Sequence, residues 1–204
     1  MKQVDSLHYQ FTAYTSKERF SSFWHQVNEV LKFQPKTVLE IGPGPGIVTN
    51  ILRSQGVKVT TVDFADDVGA DVIASVLDLP FSEKSFDVIV CCQVLEHIEF
   101  STFSRALAEI HRVSTHGAVI SLPQVSKYWP FFIYVPKVGA IRFGLNMHIL
   151  PQKHIFDGEH YWEIGKKNFP LRKILTLIRN RFSQVYHFRN WDNPYHHFFI
   201  CRIE

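Results

Sequence analysis

The stretch VLEIGPGPG, Val38 to Gly46, sets three glycines and two prolines directly behind a short apolar run. TVLEI reads as a buried strand and GIVTNILRSQG as a helix closed by Gly56, so the glycines form a strand-to-helix turn. Glycine at 42, 44 and 46 permits a sharp bend and lets a ligand approach bare backbone. Pro43 and Pro45 stiffen that bend and donate no hydrogen bond. The helix it opens offers unpaired N–H groups to a ligand. A phosphate, a dinucleotide and a sulfonium nucleoside all use such loops, so the turn alone does not choose among them. A P-loop is excluded, because no Gly-Lys-Ser/Thr follows. A dinucleotide fingerprint wants a glycine where Ile47 stands, although Asp63 supplies its distal acid.

Strand and helix patterns alternate on both sides of this turn. TSKERFSSFWHQVNEVLKF opens with Thr15 and Glu18 at capping-box spacing. Its apolar residues Phe20, Phe23, Trp24, Val27, Val30 and Leu31 share one helical face, and Pro35 ends it. VKVTTVD and SFDVIVCC read as strands, with a brief strand around Asp71 to Ala74 between them. STFSRALAEIHRVS reads as a helix capped by Ser101, and GAVISLP as another strand. The alternation predicts an α/β, Rossmann-like doubly wound sheet, mostly parallel, in three α/β/α layers. QVYHFRNW and HHFFICRI, joined near Asn193 and Pro194, add a C-terminal antiparallel hairpin. The whole chain, 1–204, reads as one domain with a helical extension over 1–34. Residues 123–170, irregular and rich in aromatics, read as an inserted substrate or lid region.

Glu40, Asp78 in DLPF, and Gln93, Glu96 and His97 in FDVIVCCQVLEHI lie at or near strand carboxyl ends, where such sheets bind ligands. VLEIGPGPG, VDF, DLPF and FDVIVCCQVLEHI together resemble the successive motifs of class I S-adenosylmethionine-dependent methyltransferases, in order, over roughly Thr37 to Pro123. The similarity is to the small-molecule, type-11-like branch, which includes quinone-biosynthesis and sugar-tailoring enzymes. The short segment between Asp63 and Asp78 departs from that pattern, leaving room for a turn where a helix is usual.

The resemblance implies S-adenosylmethionine as cofactor and methyl transfer to an oxygen or nitrogen of a small-molecule, glycan or lipid-like acceptor. It implies that Glu40 and the backbone of Gly42, in the loop with Gly44 and Gly46, serve the methionine amino group. Asp63 would accept from both ribose hydroxyls, Phe64 would pack on adenine, and Asp78 would accept from the adenine amino group. The Leu79 N–H would read a ring nitrogen, while Cys92 and Gln93 would border the sulfonium. The other readings of these residues are polar strand ends, a core aromatic, a turn former, and packing or capping groups.

A hydroxyl or amine nucleophile must lose its proton, and histidine suits that task near neutral pH. His97 is the first candidate base by its position; His160, beside Glu159, is the second. His148, His154, Asp157 and His160 have no compact zinc spacing, so no metal is expected. The ten aromatics between Pro123 and Pro170 fit a flat or lipidic acceptor, a thicker core or a dimer contact.

A net charge of +3 without a basic run gives no case for nucleic acid. Three cysteines without framework spacing, no apolar leader and no membrane-length run point to a cytoplasmic protein; a homodimer is compatible. Two rival functions remain at this level. One is a catalytically silent nucleoside-binding homologue acting as partner or scaffold; the other is a nicotinamide oxidoreductase, resting only on the glycine turn and Asp63.

Overall fold

The computed structural model describes residues 14–67, 69–146 and 150–204. β1 (Thr37–Ile41), β2 (Lys58–Asp63), β3 (Val72–Ile73), β4 (Phe86–Cys92) and β5 (Ser114–Pro123) run parallel. Two later strands, Gln184–Arg189 and His196–Arg202, complete the sheet in antiparallel register, with Val119 opposite Ile200. The central strands are buried on both faces, so their sequences read as apolar runs rather than alternating ones. Successive residues nevertheless divide between two cores. Val38, Val88 and Val90 face α1 (Lys17–Leu31) and α2 (Ile47–Ser54). Leu39, Ile89 and Cys91 face α3 (Phe103–Val113), beside which lies α4 (Leu171–Arg179). The result is the expected three-layer doubly wound architecture.

Local chemistry shifts several helix ends. Ser16, not Thr15, caps α1 by accepting from the Arg19 N–H at 3.2 Å. The helix rotates so that Phe23, Val27 and Val30 enter the core while Phe20 and Trp24 stay exposed. Polar Ser22 is buried instead, because Ser22 Oγ accepts from the Asn190 side chain at 3.0 Å. Ser101 does not cap α3; a 3-10 turn over Phe100–Thr102 intervenes, and Ser101 donates to Glu99. Among the described residues between β2 and β3 there is no helix.

The segment 123–170 is more ordered than its composition suggests. β6 (Tyr128–Val135) and β7 (Gly139–Asn146) pair antiparallel as a separate two-stranded sheet. The signal was present in the β-branched and aromatic run YWPFFIYV, but apolar residues on both faces hid the two-residue period. To number the sheet in chain order, Gln184–Arg189 is β8 and His196–Arg202 is β9, giving β3-β2-β1-β4-β5-β9-β8. At the far end of the segment Trp162 is fully buried, donating from Nε1 to Ile98 O at 3.1 Å and meeting Phe100 and Phe103 edge-on. Across the base of the segment the Val125 N–H donates to Ile164 O at 2.9 Å and the Ile164 N–H donates to Pro123 O at 3.0 Å. Trp162→Ala is expected to cost about 3–5 kcal/mol, read as a lower urea midpoint at unchanged slope.

Candidate active site

From β1 the chain runs outward through β2 and β3, then crosses back to add β4 and β5 on the other side. The loops leaving β1 and β4 therefore diverge, and a crevice opens at their carboxyl ends. Gly42, Gly44 and Gly46 take φ of 71°, 52° and 71°, left-handed values that side chains resist. The Gly42 N–H donates to Val62 O at 2.8 Å, fastening the turn to β2. A Cβ on Gly42 would stand 2.4 Å from Val94 Cγ2, so the loops after β1 and β4 meet only because residue 42 has no side chain.

The acids at the strand tips sit in different surroundings. Glu40 is buried beneath the turn and accepts a short hydrogen bond from Thr49 Oγ1 on α2. Burial pushes its carboxyl up to about 7, against the Thr49 hydrogen bond and the Arg53 charge. Asp63 ends β2 and accepts from the Ala65 N–H at 2.8 Å; burial raises its pKa, against hydrogen bonds from Ala65 and Phe64. Phe64, next in the chain, is exposed. Gln93 takes φ 56° and is tied to Ser121 on β5 through both its N–H and its side-chain amide, at 3.0 and 3.2 Å. The Cys92 thiol donates to Val119 O at 3.7 Å, and burial pushes it up to about 12, so it stays protonated.

DLPF follows a different course from the sequence expectation. Ala74 donates its N–H to Asp63 O, so the chain is at the crevice there. It then runs along α3, where Arg112 binds the carbonyls of Leu79 and Phe81 at 2.9 and 2.7 Å. The Leu79 N–H is taken by the Glu109 carboxylate at 2.9 Å and its side chain is in the core, which removes it from a ring-nitrogen role. Asp78 is exposed and contributes to the field at Arg112. An acid on α3, four positions ahead of Val113, was the missed competitor for that N–H.

The two candidate histidines come together although 63 positions separate them. Their ring centroids are 4.9 Å apart, and one donor atom each of Glu96, His97 and His160 lie within 4.8 Å of one another. His97 Nδ1 is 3.0 Å from Glu159 O, a pure acceptor, so that nitrogen carries the proton and Nε2 the lone pair. His160 Nδ1 is 3.2 Å from Glu163 Oε1, and Tyr195 donates to the same oxygen at 2.6 Å. Burial and the neighbouring His160 lower the His97 pKa. Burial alone would lower His160 too, but Glu163 and Glu96 raise it overall. Burial would raise Glu163, yet hydrogen bonds from His160 and Tyr195 hold it below the usual carboxylate range. Of the loose group weighed as a metal set, His148 lies outside the described residues, and His154 binds His160 O at 2.7 Å.

Residues 39–122 match the family described as "Methyltransferase domain". Over these residues the chain is similar to the class I S-adenosylmethionine-dependent methyltransferases. S-adenosylmethionine is this family's cofactor, and the turn, the buried Glu40 and the Asp63 tip suit a ligand that joins an ammonium to a ribose. A curated relative of the methyltransferase is the ubiquinone biosynthesis O-methyltransferase of Rickettsia typhi, 27% identical over 168 residues. That match covers 75% of this chain and 66% of the relative, so the chain spans a little under two thirds of its length. Among solved structures, a Pyrococcus horikoshii protein aligns with TM-score 0.64 at 14% identity, over 98% of this chain and 100% of the other. The N-methyltransferase NodS of Bradyrhizobium japonicum, in complex with S-adenosylhomocysteine, aligns with TM-score 0.60 at 13% identity, over 93% and 89%. Both share the methyltransferase's fold.

Sequence reasoning placed Glu96 at the crevice without a task, and missed Glu163 and Tyr195 altogether. Glu96 is fully buried, both of its carboxylate oxygens lack a side-chain or backbone partner from elsewhere among the described residues, and burial pushes its pKa up to about 8. A carboxyl that is more basic when folded favours the native state while protonated and loses that advantage as pH rises. Stability is therefore expected to fall from about pH 4.5, where both carboxyls ionise in the unfolded chain, to about pH 8, where Glu96 has ionised in the folded one. Glu96→Gln, which stays neutral, should flatten the decline in urea midpoint between about pH 5 and pH 8; an unchanged slope there would contradict this account.

Proposed function

We propose that this methyltransferase moves the methyl group of S-adenosylmethionine to an oxygen of a small, largely apolar acceptor, with His97 as the base. The observation that carries the reading is the paired imidazoles at the end of β4, beside the glycine turn. Relatives named as O-methyltransferases favour oxygen over nitrogen.

The cofactor would supply a methyl group on a positively charged sulfur, an electrophile with a good leaving group. The glycine turn and Glu40 would hold its methionine end, with Asp63 on the ribose and Phe64 against the base. Gln93, held by Ser121, would close the side nearest the sulfur. Alignment of acceptor oxygen, methyl and sulfur is then the main catalytic contribution. His97, kept neutral by burial and oriented through its Nδ1 contact with Glu159 O, would take the proton of the acceptor hydroxyl. His160, charged more readily through Glu163, holds the acceptor oxygen and steadies the anion that forms.

Asp63→Ala is expected to weaken S-adenosylhomocysteine binding about ten- to hundredfold by calorimetry, through lost charged hydrogen bonds. An unchanged affinity would remove Asp63 from the cofactor site.

His97→Gln should lower kcat by about 10²–10⁴-fold while leaving cofactor-product affinity intact. In the wild type kcat should fall only on acidification below the ordinary imidazole range, because a depressed pKa keeps His97 unprotonated above it. Activity should survive a chelator; loss that a divalent ion restores would reassign Glu96, His97 and His160 as metal ligands.

A further inference from the structure

We propose that the β6–β7 hairpin docks on an anionic lipid surface. One face of the hairpin consists of three cross-strand pairs, Trp129–Leu145, Phe131–Phe143 and Ile133–Ile141, all exposed and all apolar. The turn adds Val138, 73% exposed, and the opposite face adds Tyr134, 67% exposed. Water is a poor solvent for so continuous an apolar strip, which marks it as a contact surface.

Charge selects the occupant. Residues 124–156 contain no Asp or Glu, while Lys127, Lys137 and Lys153 are exposed along them. A second copy meeting this face about a two-fold axis would set like charges against each other with no acid to offset them. An acidic headgroup layer meets the same pattern favourably, at roughly 1 kcal/mol for each basic residue near the surface. Trp and Tyr are also the side chains that prefer the headgroup boundary.

Backbone limits the depth. Among the described residues neither outer edge of the two-stranded sheet has a strand partner, and Pro130 and Pro136 shorten the supply of N–H groups. Those edges need water or headgroups, so the hairpin lies at the interface and does not span. No described helix is long and apolar enough to cross a membrane either. The base of the hairpin is fixed to the catalytic body by Arg189, which binds Ser126 O and Gln124 O at 2.8 and 3.1 Å with its guanidinium over Tyr128. Docking would therefore hold the crevice close to the bilayer. The proposal stands on the hairpin alone and does not depend on the methyl acceptor.

The test is flotation of the full chain with phosphatidylcholine vesicles, with and without phosphatidylglycerol. Binding is expected only with the anionic lipid, weakening as salt rises, with Trp129 fluorescence quenched by brominated lipid and Trp129→Phe losing that quenching. Trp129→Asp with Ile133→Asp should reduce binding about tenfold or more, while S-adenosylhomocysteine affinity stays unchanged as proof of folding. Lys127→Glu with Lys137→Glu should abolish the preference for anionic lipid. Absence of binding to either vesicle overturns the proposal, as does binding indifferent to the Asp pair. A dimer in sedimentation velocity that the Asp pair dissolves, without vesicle binding, assigns the face to self-association instead.

Discussion

The missing side chain at Gly42 is the contact on which the active site turns. Val94 Cγ2 occupies the space a Cβ would need there, so the turn after β1 and the loop after β4 touch across the strand-order reversal. Gln93 is held in a left-handed conformation just before Val94, and Glu96 and His97 are carried round on the 3-10 turn just after it. A strand-end constraint thus becomes a chemical one: the Gly42–Val94 approach sets where the 3-10 turn that carries Glu96 and His97 begins.

A second layer of the site is electrostatic. Burial raises Glu40 and Glu96, two carboxyls that would be ionised in water, while His97 is pushed the other way and His160 is lifted by the acids around it. Neighbouring groups whose proton affinities are moved apart can hold different charge states at one pH. Tyr195 and Glu163 set this difference from β9's approach and from the segment before α4. The site is therefore assembled from both ends of the chain.

Much of the architecture was legible because its signals were local. TVLEI, the glycines behind it and SFDVIVCC each state their own conformation, and their order fixes a doubly wound sheet. The positions of Asp63 at the end of one strand and His97 just past another were legible because each follows an apolar run. What escaped the sequence was competition at a distance. Leu79 offered an N–H that Glu109, 30 positions on, had already taken, and Ser16 capped α1 where Thr15 had the better motif. The β6–β7 pairing escaped because strands exposed on both faces show no alternation, and alternation is the usual mark of a strand.

The attachment of residues 126–163 has a consequence for how such a molecule can change. Val125 bonds to Ile164, and Ile164 to Pro123, so the ends of this stretch lie side by side. A loop whose ends are already closed can be lengthened or exchanged at a cost that grows only with the logarithm of its length. An exchange confined to the hairpin beyond Tyr128 would leave the glycine turn in place, and His160, near the returning end, would keep its position beside the buried Trp162. Acceptor choice and cellular address can then diverge between descendants of this scaffold while the transfer chemistry is inherited intact.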